Sequence, residues 1–119
     1  MPRTTLTKTA ALGPYPTLPV AADALDAVFT AADVVNKNQF LPTGYDLIIM
    51  WNSGAAPYTV TLTTAADAQN RTGDIATYSL AAADIAVFKL ANKVGFIQAD
   101  GYVYLEASNA SVKFAVISL

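Results

Sequence analysis

The chain has 119 residues, carries 9 acidic against 7 basic side chains, and contains neither histidine nor cysteine. This length suits one domain with its own hydrophobic core. The missing residue types exclude disulfides, thiolate metal sites, and histidine as a general base or metal ligand. The basic residues do not cluster, so we expect no binding to nucleic acid.

Charged residues make up 13% of the chain and hydrophobic residues 54%, whereas ordinary soluble domains carry about 25% charged residues. This shortage of charge predicts that other protein surfaces cover part of the molecule. The alternative is a monomer whose surface is rich in alanine and threonine. We expect no membrane span, because the longest strongly apolar run, residues 47–51, falls far short of about 20 residues. Prolines interrupt any signal-peptide pattern near the start.

Residues 1–20 are rich in threonine and proline and predict an extended arm, since each proline fixes φ and favours extended geometry before it. The apolar side chains of this arm require cover. We therefore predict that it lies on a neighbouring subunit, the alternative being an arm that packs on its own domain. The candidate interface residues here are Leu6, Leu12, Pro14, Tyr15, Pro16 and Leu18.

Residues 21–119 predict a series of short strands separated by turns. Candidate strands lie around 27–30, 46–52, 58–63, 75–80, 85–90, 102–106 and 112–119, and residues 36–40 are interpreted as a loop. The segment 46–52 is apolar on both faces, which predicts a central strand covered on both sides. A count of seven to nine strands is typical of a single antiparallel β-sandwich or jelly-roll-like domain.

Catalytic motifs are missing from the sequence. Without histidine, a serine nucleophile would depend on lysine or a carboxylate, and neither a Gly-x-Ser-x-Gly nor a Ser-x-x-Lys motif occurs. Glycine is too scattered for a phosphate-binding loop. We therefore expect no enzyme activity, no catalytic residue and no cofactor.

The loop 67–74 is the best candidate for a metal site, because it holds several oxygen-bearing side chains of the kind that Ca²⁺ prefers. Arg71 places a positive charge inside it, so we predict that no metal binds. Instead, we expect Arg71 and Asp74 to order the loop together or to form an ion pair between subunits.

Short motifs from residue 30 to the end resemble small proteins encoded in the structural modules of tailed phages. In order, these motifs are Thr30-Ala31-Ala32-Asp33, Asn38, Thr43-Gly44, Leu47-Ile48-Ile49, Asn52-Ser53-Gly54-Ala55, Thr59-Val60-Thr61, Arg71-Thr72-Gly73-Asp74-Ile75, Ala99-Asp100-Gly101 and Val112-Lys113-Phe114-Ala115-Val116-Ile117. They span roughly three-quarters of the chain, and their order carries more weight than any single motif.

The resemblance implies a capsid decoration (cement) protein or another minor head protein, located on the capsid surface of a virion. Its partners would be the major capsid protein and its own copies, with a trimer favoured. Two alternatives stay open: a carbohydrate-binding or adhesion module of a head or tail fibre, and a small tail or connector protein.

Overall fold

A computed structural model of the chain describes residues 2–11, 26–65, 69, 73–91 and 94–119. These residues form ten β-strands and one short 3-10 helix, Val94–Phe96, and no α-helix occurs among them. The strands are β1 (Thr4–Thr5), β2 (Lys8–Ala10), β3 (Thr30–Ala31), β4 (Asn38–Phe40), β5 (Tyr45–Asn52), β6 (Tyr58–Thr63), β7 (Ile75–Leu80), β8 (Ile85–Ala91), β9 (Val103–Ala107) and β10 (Val112–Ser118). The predicted all-β class is confirmed.

The strands form two sheets that pack face to face, which confirms the predicted β-sandwich. Sheet A has the order β1-β4-β9-β6-β7, and sheet B has the order β2-β10-β5-β8, with β3 also pairing with β10. Most neighbouring strands are antiparallel. The pairs β1–β4 and β2–β10 are parallel, so both sheets are mixed.

The core lies between the sheets and follows the alternation of each strand. In β6, Val60 and Leu62 are buried, whereas the alternate residues Thr59, Thr61 and Thr63 face outward. Phe40 and Phe114 are the largest fully buried side chains. Burial of each contributes about 1.5–3 kcal/mol relative to an exposed side chain.

Residues 2–11, the described part of the predicted arm, belong to the sandwich. β1 lies at the edge of sheet A and β2 at the edge of sheet B, and Leu6 between them is 5% exposed in the core. The backbone N–H of Leu6 donates to the carbonyl of Gln39 at 2.8 Å. This segment closes one side of the sandwich. The predicted boundary at residue 20 lies outside the described residues.

Two predicted elements differ from the observed ones. The loop interpretation of residues 36–40 is wrong for 38–40, where Asn38 and Phe40 are fully buried inner positions of β4. The strand predicted around 27–30 is limited to Thr30–Ala31, since pairing with β10 begins only there. With β1, β2 and β4 included, the strand count exceeds the predicted seven to nine.

A tight turn at Asp100-Gly101 leads into β9. Gly101 has φ +88°, a left-handed conformation that glycine adopts without steric cost. Its N–H donates to the carbonyl of Gln98 at 2.9 Å, and Ile97 forms a bridge with Val103 across the turn.

Candidate interaction surface

The outer face of sheet A is polar. Its outward positions follow from the strand registers, which place Thr59 beside Ser79, Thr61 beside Glu106, and Tyr104 beside Gln39. Lys37 and Glu106 form an ion pair here at 3.6 Å. A sheet that faces water on one side has this pattern of apolar inner and polar outer residues.

The outer face of sheet B is apolar, and we call it the apolar face. It consists of the outward-facing residues of β5, β8 and β10 together with the aromatic ring of Phe29, which precedes β3. These residues are Phe29, Tyr45, Leu47, Ile49, Trp51, Ile85, Val87, Lys89, Lys113, Ala115 and Ile117. Two lysines are the only charged side chains among them, and none is a carboxylate.

Aromatic packing orders one end of the apolar face. The rings of Phe29 and Trp51 meet edge to face, with centroids 5.6 Å apart. The ammonium of Lys113 lies 5.4 Å from the Trp51 centroid, within the range of a cation–π contact. These contacts hold a large indole ring on the outside of the sandwich, where an isolated domain would ordinarily carry polar groups.

The most exposed part of the apolar face lies on β8. Ile85 is 59% and Val87 60% exposed, and Tyr45 is 58% exposed at the start of β5. Exposed apolar side chains two residues apart on one strand, as Ile85 and Val87 are, are typical of a contact with another protein.

An apolar slot opens beside β8, between the edges of the two sheets. It has a volume of about 370 Å³. Met50 and Leu62 of the inner strands line it together with Ala86 and Phe88 of β8, and Tyr78 of β7 lies at its mouth, half exposed. The sandwich is therefore closed by residues 2–11 on one side and open between β7 and β8 on the other.

A polar cluster on sheet A joins the start of the chain to the Asp100 turn. The guanidinium carbon of Arg3 lies 4.1 Å from the centroid of the Tyr104 ring. The Tyr104 hydroxyl donates to Asp100 at 2.5 Å. This hydrogen bond lowers the pKa of the Asp100 carboxyl and raises the pKa of the Tyr104 hydroxyl. The cluster fixes the Tyr104 side chain on the surface.

Of the candidate interface residues predicted from the sequence, the structure describes Leu6 and Asp74. Leu6, predicted to contact a neighbouring subunit, lies in the core of its own domain. Asp74 is exposed, and its carboxylate accepts hydrogen bonds from the Thr64 hydroxyl at 2.6 Å and the Thr64 N–H at 2.7 Å. The hydroxyl bond is the main cause that lowers the pKa of the Asp74 carboxyl. The remaining candidates lie outside the described residues: Leu12, Pro14, Tyr15, Pro16, Leu18 and Arg71.

Ile85 and Val87 are interface candidates that sequence reasoning missed. Residues 85–90 predict a strand, but the sequence does not show that this strand lies at an edge. One signal was present: Lys89 is the only charged residue between Ile85 and Ala91, so neither face of the strand is polar.

Within the described ranges, acidic side chains do not gather into a group that could hold a metal ion. Most of the 67–74 loop lies outside those ranges, so the metal prediction there stays a prediction. No helix in the described part of the chain is long and apolar enough to cross a membrane.

Comparisons of the chain with protein families, curated proteins and solved structures found no match.

Proposed function

We propose that this chain is a structural virion protein that packs on a phage capsid shell and on its own copies. The observation that carries the proposal is the contrast between the two outer faces. The apolar face of sheet B has no carboxylate among its described positions, whereas sheet A presents threonines, Gln39 and the Lys37–Glu106 ion pair. The outer face of sheet A is therefore compatible with exposure to solvent, whereas the apolar face favours contact with another protein.

The energetics of a repeating lattice favour such a protein. Burial of apolar surface contributes about 25 cal/mol per Å². Ile85, Val87 and Tyr45 are each more than half exposed in the single chain and gain from that burial. When many copies make modest contacts with neighbouring lattice sites and with one another, multivalency raises the overall strength of their attachment. The resemblance to small tailed-phage proteins supports a capsid as the lattice.

The carbohydrate-binding alternative has less support. A shallow depression of about 190 Å³ on sheet A is lined by Lys37, Thr61, Glu106 and Ser108 among others, and no aromatic side chain is among its described lining residues. On the same sheet, Arg3 covers the ring of Tyr104, a ring that a sugar would need for stacking.

The proposal is tested on particles produced from the genome that encodes this chain. We expect the chain to co-sediment with intact particles in a density gradient, and electron microscopy to locate regular copies on the head. Copies confined to the tail, or a chain that stays at the top of the gradient, would contradict the proposal.

A pair of matched variants tests the surface. Tyr45→Lys places a charge in the apolar face and should lower recovery of the chain in particles by at least about tenfold, the effect of roughly 1.4 kcal/mol of lost contact. Ser79→Lys places the same charge at an exposed site on the outer face of sheet A and should leave recovery unchanged. Equal recovery of both variants in particles would show that the apolar face does not contact the shell.

A further inference from the structure

The four sheet edges of the described structure differ in how well they are protected against pairing. β1 has two residues and β2 three. β7 is irregular, since its register with β6 shifts and Thr77 has φ +50°. β8 pairs with β5 without a register shift over seven residues, Ile85–Ala91. Natural proteins blunt long edges with bulges, prolines or several charges, and β8 has only Lys89.

The backbone groups of β8 that pair with no described strand belong to residues that expose their side chains, Ile85, Val87 and Lys89. The N–H of Asn52 donates to the carbonyl of Asp84 at 3.0 Å, so position 84 faces β5. In an antiparallel ladder, the backbone groups of alternate residues point to opposite neighbours. The N–H and C=O groups of residues 86 and 88 therefore also point toward β5, whereas those of Ile85, Val87 and Lys89 point away from β5, toward the open edge. Three residues with two groups each offer a complete edge for a further strand.

We propose that β8 pairs antiparallel with β8 of a second copy, about a twofold axis at Val87. In this register, Val87 lies opposite Val87 of the second copy, and Ile85 lies opposite Lys89. The N–H and C=O groups of these residues that point away from β5 can then form hydrogen bonds with the same groups of the second copy. The apolar faces of the two copies lie on the same side of one continuous sheet.

The charges at the two ends of β8 favour a second copy as the partner. Asp84 precedes the strand and Lys89 lies near its end, and both are exposed. Antiparallel pairing brings the acidic start of each β8 to the basic end of the other, with Asp84 one register position from Lys89 and, by alternation, on the opposite face of the sheet. The two lysines stay about 13 Å apart, four residues at about 3.3 Å each, which exceeds the Debye length of about 8 Å.

The apolar slot supplies the second observation. It opens along this same edge, and Tyr78 at its mouth is 50% exposed. Ala86 and Phe88 of a paired β8 would face the slot side of the new sheet. Pairing therefore adds a wall where the sandwich is open, and covers Tyr78 together with Ile85 and Val87.

This inference deepens the proposed function by naming one partner, and it is tested without a capsid. In sedimentation equilibrium, we expect the purified full chain to form a species of twice its 12.5 kDa mass. Val87→Lys sets two ammonium groups opposite each other and should raise the dimer dissociation constant by at least about tenfold. Thr59→Lys, on the outer face of β6, should leave it unchanged.

The register is tested with a single introduced thiol, because the chain has no cysteine of its own. Directly opposed residues of this kind have Cα atoms about 5.5 Å apart, within the roughly 4.4–6.8 Å that a disulfide bridges. Mild oxidation of Val87→Cys should give a covalent dimer, and oxidation of Ser79→Cys should not. This variant removes no charge and keeps the core intact, so it tests the contact even where Val87→Lys fails to fold.

A monomer at all concentrations, or a dimer or trimer that Val87→Lys leaves unchanged, would overturn the pairing. Equal crosslinking of both cysteine variants would overturn the register. If the chain is monomeric but still enters particles, the β8 pairing is wrong and the proposed function stands. If the β8 dimer forms but is absent from particles, the proposed function is wrong and the pairing stands.

Discussion

At the residue scale, Asn52 connects the ends of three segments. It is fully buried, and its amide donates to the carbonyls of Ala56 at 2.8 Å and Leu80 at 3.0 Å, while its side-chain oxygen accepts from the N–H of Gly54 at 3.0 Å. Asn52 ends β5 of sheet B and Leu80 ends β7 of sheet A. One side chain therefore holds the two sheets together at this end.

We expect Asn52→Ala to destabilise the fold by about 1–3 kcal/mol, because the buried Leu80 carbonyl loses its donor. Urea unfolding followed by tryptophan fluorescence measures the change. Asn109→Ala is the matched control: among the described residues, the Asn109 side chain accepts only from the N–H of Ser111, in a turn, so its loss should cost less. Equal costs for the two variants would show that Asn52 has no special structural role.

Asn52-Ser53-Gly54 is typical of a turn between strands, and the chain leaves β5 at these residues. The role of the Asn52 amide was not predictable, because its acceptors Leu80 and Ala81 lie 28 and 29 residues away along the chain. Hydrogen bonds between distant residues leave no periodic signal. The same reason explains why the sequence suggested Arg71 as the partner of Asp74, whereas the described partner is Thr64.

At the element scale, the segment from β1 to β2 connects the sheets on the side opposite the slot. Its predicted extended geometry agrees with the two short strands. Its own domain, rather than a neighbour, receives the described part: Leu6 packs among the core residues, and the N–H of Ala11 donates to the carbonyl of Ser118 at 2.7 Å.

We expect Leu6→Ala to cost about 2–5 kcal/mol, the range for truncation of a buried leucine. Thr7→Ala, one residue along and exposed, should change the free energy of unfolding by less than about 0.5 kcal/mol. Denaturant titration of both variants tests this. A small effect of Leu6→Ala would mean that the segment is not part of the stable core in solution.

Strand positions were the most predictable elements. The strand at 58–63 matches β6, and those at 46–52 and 75–80 match β5 and β7 to within one residue, because alternation and turn residues are local signals. Strand order was not predictable. The double-sided apolar pattern of β5 did predict a central strand, and β5 lies between β10 and β8.

At the scale of the whole molecule, carboxylates on different surfaces give the fold one common response to acid. Hydrogen bonds lower the pKa values of Asp33, Asp74 and Asp100 below 3.8, chiefly those from the Asn36 N–H, the Thr64 hydroxyl and the Tyr104 hydroxyl. A lowered folded-state pKa contributes stability above pH 3.8 that is lost as the pH falls through the folded value.

We therefore expect the urea midpoint to stay level between pH 5 and 8, where a chain without histidine has no side chain of ordinary pKa to titrate, and to fall below about pH 4. Asp100→Asn should make the acid-induced loss smaller. Asp26→Asn is the control, since the Asp26 carboxylate accepts no hydrogen bond from the described residues. A midpoint that rises on acidification would contradict the sign of this linkage.

Composition, strand alternation and turn residues determined the all-β class, most strand positions, and the expectation of a protein with few charges on its surface. Each of these depends on neighbours within a few residues, so the sequence shows them directly. Only the tertiary structure decided which strands lie at the edges, that Leu6 is core, and that sheet A turns threonines outward while sheet B turns outward Trp51, Ile85 and Val87. Those features arise from pairing between distant segments, which the sum of contacts across the whole fold selects and no local pattern encodes.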